Sequence, residues 1–176
     1  IINLLLETKR RGIRDLINWM DDNGFFDAPC SSKYHLSKPG GLAEHSLNVF
    51  DAACKLASSL CGFNNGYIPK DTQKSIIICA LLHDLGKAGQ FGKPGYITAE
   101  LSFEQYETNK DLLYIPHEVR SIAIASQFIE LTEEEQFAIL YHNGLYGELK
   151  SLKGNETPLY MILHFADMWA SRIVED

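Results

Sequence analysis

The sequence predicts an all-α domain, a bundle of five to seven helices interrupted by one short loop or hairpin insertion at about residues 88–115. Three observations carry that expectation. Apolar residues recur with a period near 3.6 in at least five segments. Stop signals built from Gly, Asn and Pro fall between those segments. Only Tyr96-Ile97-Thr98, inside the insertion, reads as strand. At 176 residues, 45% of them apolar, the chain suits one core, so residues 1–176 are expected to form a single domain.

The first helix is expected over 2–20, where Leu5, Ile13, Leu16 and Trp19 mark an apolar stripe and Asp21-Asp22-Asn23-Gly24 supplies the stop. Residues 25–41 read as irregular, punctuated by Pro39-Gly40-Gly41. A second helix covers 42–60 and a third 72–87. The third is apolar on nearly all sides through 76–82, so it should be the most buried element, and Gly86 breaks it. Gly89, Gly92, Pro94 and Gly95 then forbid helix. A fourth helix starts near Pro116, a favoured first-turn residue, and runs to about Glu130. Thr132 with Glu135 three residues on forms a capping-box signature for a fifth, which ends at Asn143-Gly144. Thr157-Pro158 opens the last helix, expected to continue to the end of the chain.

The formal charge of −7 leaves no diffuse basic surface for duplex nucleic acid, so any nucleotide must be held by a local cationic site. Cys30, Cys54, Cys61 and Cys79 form no C-x-x-C pair, which argues against a zinc knuckle or a redox motif. They are expected as reduced thiols of a cytoplasmic protein. No apolar run approaches the ~20 residues needed to span a bilayer, so no membrane partner is expected. The chain opens at Ile1 rather than Met, which leaves room for upstream residues, a targeting segment among them. Nothing in the sequence bears on oligomeric state.

The chemistry centres on the adjacent pair His83-Asp84, within Ala80-Leu81-Leu82-His83-Asp84-Leu85-Gly86-Lys87. The apolar run before it delivers an imidazole and a carboxylate to one buried point, which is costly unless something compensates them. A divalent cation would do so. His45 near the start of the second helix, His117 opening the fourth, His142 closing the fifth and Asp167 inside the last add further ligand-type groups. Imidazole with carboxylate suits Mn, Fe, Zn or Ni rather than Ca or Mg, which favour all-oxygen shells. Taken singly, these residues have plainer readings. His142 can interact with its helix C-terminus, Asp167 can pair with Arg172, and His117 can face solvent. One metal hypothesis accounts for all six placements.

His45, then His83-Asp84 in L-L-H-D-L-G-K, then Asp167 in L-H-F-A-D resemble the H…HD…D signature of the HD superfamily of metal-dependent phosphohydrolases, over about residues 40–170. Tyr34-His35, the run from Gly40 to Val49, and Tyr141-His142-Asn143-Gly144 are similar to the HD domain of bacterial 3′-to-5′ exoribonucleases and of small phage and firmicute HD proteins. The resemblance implies an HD-domain-like bundle in which His45, His83, Asp84 and Asp167 hold a first metal. Asp84 would bridge to a second, with His117 and His142 as its added ligands, two histidines that mononuclear members lack. It further implies hydrolysis of a phosphate ester or phosphodiester of a nucleotide or short oligonucleotide, by hydroxide that the metals generate at neutral pH. The exoribonucleases carry an additional OB-type nucleic-acid-binding domain for which this chain has no room, so short substrates are expected rather than long RNA. The alternatives are a nucleoside tri- or monophosphate hydrolase, and a non-catalytic nucleotide sensor. Such sensors typically lose metal ligands, and all six are retained here.

Secondary candidates surround this set. Lys87, four residues after His83 and so on the same helical face, can contact a non-bridging phosphate oxygen or simply favour its helix C-terminus. His35 can touch substrate or protonate a leaving oxygen, or can be structural. Arg120, one turn after His117, can bind phosphate, with Lys33 and Lys38 as weaker candidates. Tyr96, Phe103 and Tyr106 in the insertion can stack a base or pack the loop down. His164, three residues before Asp167, is expected to brace the site.

Overall fold

A computed structural model of the chain describes residues 1–60, 68–99, 105–144 and 154–175. The seven helices among them are α1 (Ile2–Glu7), α2 (Ile13–Asp22), α3 (Gly41–Leu60), α4 (Lys70–Leu82), α5 (His117–Ala125), α6 (Glu133–Tyr141) and α7 (Pro158–Trp169). A 3₁₀ turn, Leu85–Ala88, follows α4, and a π-helical turn, Ala170–Val174, follows α7. The all-α expectation holds, and the insertion carries two antiparallel hairpins. In the first, β1 (Gly89–Gln90) pairs with β2 (Lys93–Pro94); in the second, β3 (Tyr96–Thr98) pairs with β4 (Tyr106–Thr108), with Tyr96 opposite Thr108. Phe103 and Cys61 lie outside the described residues, and Cys30, Cys54 and Cys79 are free thiols. Among the described residues no helix is long and apolar enough to cross a membrane.

The apolar run at 76–82 makes α4 the central strut. All of those residues are buried, and α4 packs against α1, α3, α6 and α7. Each large aliphatic side chain so buried contributes roughly 1.5–3 kcal/mol. The strut that ends in His83 and Asp84 is therefore held by the core itself.

Four element boundaries depart from the sequence reading, each for a physical reason. The helix expected over 2–20 is two helices, because Gly12 turns the chain at φ +82° and its Cα lies against the backbone of Phe128. A Cβ at Gly12 would sit 1.9 Å from the Phe128 carbonyl oxygen, so only glycine allows that contact. The third helix ends at Leu82 rather than Lys87. His83 is still helical, but Asp84 adopts φ −102° and ψ 10°, the bridge region, and the chain tightens into the 3₁₀ turn. The fourth stops at Ala125, where Gln127 and Phe128 donate to Ile124 and Ala125 carbonyls in i to i−3 turns. The last widens from α to π after Trp169, the Glu175 N–H donating to the Ala170 carbonyl at 3.1 Å. Both predicted N-caps form as expected: Thr132 and Glu135 make a reciprocal capping box, and Thr157 accepts from the Tyr160 N–H.

Candidate metal centre

Glycines govern how the elements approach. A Cβ on Gly86 would lie 2.4 Å from the His117 carbonyl oxygen and 2.8 Å from Arg120 Cβ, and the Gly86 N–H donates to Ser121 Oγ at 2.8 Å. The first turn of α5 therefore sits directly on the 3₁₀ turn, which carries His117 to Asp84. Gly41 does the same elsewhere, since a Cβ there would meet the Leu36 carbonyl oxygen at 2.0 Å. That approach seats the 30–36 loop on the start of α3 and sets the His35 ring 5.1 Å from that of His45.

The structure brings all six predicted ligand residues together. His45 Nε2 lies 3.3 Å from His83 Nε2, 3.2 Å from Asp167 Oδ1 and 3.6 Å from Asp84 Oδ2, and His83 Nε2 lies 3.5 Å from Asp84 Oδ2. On the other side, His117 Nε2 is 3.1 Å and His142 Nε2 3.7 Å from Asp84 Oδ1, and these two nitrogens are 3.4 Å apart. Ligands about 2.0–2.1 Å from one ion, at right-angle to tetrahedral spacing, stand roughly 3.0–3.4 Å from each other. Four of the observed edges fall on that scale, and the Asp84 contacts to His83, His45 and His142 are longer, at 3.5, 3.6 and 3.7 Å. The two oxygens of Asp84 thus face two adjoining groups, each with donors for a divalent ion, and His142 also lies with His83 and Asp167 in a third such group.

The outward nitrogens explain why the inward ones point inward. His45 Nδ1 is 3.0 Å from both oxygens of Glu175, His83 Nδ1 donates to the Ala80 carbonyl at 3.0 Å, and His142 Nδ1 donates to the Ile139 carbonyl at 2.7 Å. With protons on Nδ1, the Nε2 atoms of His83 and His142 present lone pairs to the cluster. His45 Nε2 faces His83 Nε2 at 3.3 Å and His117 Nε2 faces His142 Nε2 at 3.4 Å, so each pair holds either a shared proton or a cation between its nitrogens. Asp84 Oδ1 makes the same point: it is buried and has no hydrogen-bond partner among the described residues. The donor set fits divalent transition metal.

Electrostatics follow from this crowding. Burial would raise the Asp84 carboxyl, but Lys87, His83 and His117 outweigh it and hold it well below the usual range. Burial likewise opposes protonation of His45, yet Asp167 and Glu175 pull it up to about 9. His142 is pushed down to about 3, first by burial and then by the neighbouring His83. Burial also lowers His35, aided by His45.

The other predicted residues take definite places. Lys87 Nζ donates to Asp84 Oδ2 at 2.6 Å and lines the cleft above the cluster. His35 lines the same cleft, its Nε2 3.3 Å from Cys30 Sγ. Arg120 is buried and commits its terminal nitrogens to Gln90 Oε1 and the Leu113 carbonyl, both at 2.9 Å, which pins the insertion to α5. Tyr96 lines a second cleft with Arg120, whereas Lys38 pairs with Glu44 at the surface. His164 braces the site, its Nδ1 donating to the His142 carbonyl at 2.7 Å.

Sequence reasoning missed Glu175, which has no motif and reaches His45 only because the π turn widens the end of α7. Asn48 was also missed: it lies three residues after His45 on α3 and steadies Glu175 with a 2.9 Å hydrogen bond. Helical spacing alone could have placed Asn48 beside the His45 partner. Nothing in the sequence marked Glu175.

Comparison with protein-family models matches residues 42–168 to the HD domain. Comparison with curated proteins and with solved structures gives no match.

Proposed function

The chain belongs to the HD domain family, and from that premise we propose that it is a metal-dependent phosphohydrolase with a dinuclear centre, acting on a nucleotide or short oligonucleotide. The observation that carries this reading is Asp84: one carboxylate, deeply buried, with each oxygen turned to a different histidine group and Oδ1 without a hydrogen bond. His45, His83, Asp84 and Asp167 would hold one ion, and Asp84, His117 and His142 the other. Two divalent cations of Mn, Fe, Ni or Zn type supply the Lewis acidity that neutralises phosphoryl charge and acidifies water.

The chain's own residues do the rest. Lys87 is fixed by Asp84 and offers its remaining N–H donors to a non-bridging phosphoryl oxygen. Glu175 and the Ala80 and Ile139 carbonyls lock the imidazole tautomers. His35 is held neutral by its surroundings, which suits it to orienting substrate or water in the cleft better than to delivering a proton as an imidazolium. The likeness to exoribonuclease HD domains favours a nucleotide over other phosphate esters. A non-catalytic sensor is disfavoured by the complete ligand set.

The test is elemental analysis of protein purified without chelator, followed by a panel of phosphate esters with added Mn. Two ions per chain and metal-dependent hydrolysis are expected. A chain that takes up no transition metal would overturn the reading.

A further inference from the structure

One ligating cluster lies outside the groups that share Asp84. Cys30, His35 and His45 each offer one ligand atom, and those atoms all lie within 4.8 Å of one another. Cys30 Sγ stands 3.3 Å from His35 Nε2. With Zn–S near 2.3 Å and Zn–N near 2.0–2.1 Å, sulfur and nitrogen on one ion stand roughly 3.1–3.6 Å apart, from right-angle to tetrahedral spacing. The observed edge falls inside that span. Glu175 adds a carboxylate beside both imidazoles, its Oε2 3.8 Å from His35 Nε2 and 3.0 Å from His45 Nδ1.

The loop that carries Cys30 and His35 is shaped by its own hydrogen bonds. The Cys30 N–H donates to the Leu36 carbonyl at 3.2 Å, Ser31 Oγ to the His35 carbonyl at 2.9 Å, and the Tyr34 N–H to Ser31 Oγ at 2.9 Å. Thiol and imidazole therefore meet in a C-x4-H spacing, while α3 supplies His45. Cys30 and the side chains of His45 and Glu175 are buried, and the His35 side chain is 20% exposed. His35 and Glu175 line a cleft of about 670 Å³, which gives an ion its way in.

We propose that Cys30, His35 and His45, with Glu175 beside them, form a thiolate site for zinc or a similarly thiophilic divalent ion. The donors set the choice of metal: a thiolate with two imidazoles suits zinc or cadmium, whereas manganese and magnesium take oxygen ligands. As the ion binds, a metal–sulfur bond replaces S–H and the thiol proton leaves to solvent, with no change of oxidation state. His45 belongs both to this group and to the group with His83 and Asp84, so filling one alters the other. A thiophilic ion thus acts on the centre through His45. The site stands whether or not the centre hydrolyses phosphate esters.

Cadmium is the probe, because a sulfur-to-cadmium charge-transfer absorption in the ultraviolet requires thiolate ligation. The reduced full chain, titrated with cadmium chloride, should develop that band with the amplitude of one sulfur ligand. Zinc should displace the cadmium and remove the band; manganese should not. Cys30→Ser, nearly isosteric, should abolish it, and Cys54→Ser should keep it. His35→Ala retains the thiol and should weaken cadmium binding about tenfold or more, since even the loss of an outer partner costs 10–100-fold. Helical circular dichroism checks that each variant is folded. No band on the wild-type chain, a band that survives Cys30→Ser, or affinity indifferent to His35→Ala would each overturn the site.

Discussion

Replacing Gly86 by alanine should separate the two halves of the centre. The added Cβ would lie 2.4 Å from the His117 carbonyl oxygen, 2.8 Å from Arg120 Cβ and 2.9 Å from the Ser121 nitrogen, where ordinary contact begins at 3.4 Å. Two of the three obstacles are backbone, so the first turn of α5 has to retreat by about 1 Å. Overpacking of this kind costs about 1–3 kcal/mol, which lowers Tm by roughly 2–4 °C per kcal/mol in a chain of this size. The retreat carries His117 away from Asp84 Oδ1, now 3.1 Å distant. Sites of this type tolerate only about 0.5 Å of displacement. The ion proposed for His117, His142 and Asp84 should therefore be lost. His45, His83 and Asp167 sit on α3, at the end of α4 and on α7, away from the clash, and should keep theirs. Elemental analysis after desalting should find two ions per wild-type chain and one in the variant, with helical circular dichroism unchanged. A Gly86→Ala protein with both ions at wild-type affinity and an unshifted Tm would refute the reasoning.

Asp84→Ala should abolish both metal uptake and turnover, whereas Lys87→Ala should keep the metal and weaken handling of phosphate; metal content and KM, measured together, distinguish the two. Glu175→Gln removes the anionic partner of His45 Nδ1 and should cost roughly 10–100-fold in metal affinity, read by competition with a chromogenic chelator. In chelated protein the pH dependence has opposing limbs. His45 is raised from 6.5 to about 9, so its stabilisation is complete below 6.5 and is lost as pH rises through 9. His142 is depressed from 6.5 to about 3, so stability falls as pH drops below 6.5, and the depressed Asp84, Asp167 and Glu175 add to that loss in acid. Urea midpoints with chelator present should therefore peak near pH 6.5; a monotonic profile across pH 5–9 would contradict this balance.

The helices were legible because period and punctuation are local signals: the capping box at Thr132 and the buried run at 76–82 need no partner to be seen. The six-residue cluster was legible because its members fall near helix ends, in a spacing that resembles a known signature. Glu175 was not, because its contact with His45 spans 130 positions and depends on a π turn that no local pattern announces. The break at Gly12 was hidden for the same reason, since what demands a glycine is the Phe128 backbone, far along the chain. Arg120 was visible as a cation, but its acceptors on the insertion were not.

The matched segment, 42–168, is narrower than the set of residues that braces the cluster. Arg10 lies upstream of it and grips the wholly buried Glu135, reaching the Glu130 carbonyl as well. That grip sits at the start of α6, the helix whose far end delivers His142. A fragment trimmed to the matched boundaries would lose Arg10, His35 and Glu175 together. It would strand Glu135 without its counter-ion, a loss of about 3–5 kcal/mol, and would leave His45 free to choose the other tautomer. Anyone shortening this protein for expression or crystallography should set the cuts by those three side chains, not by the family profile.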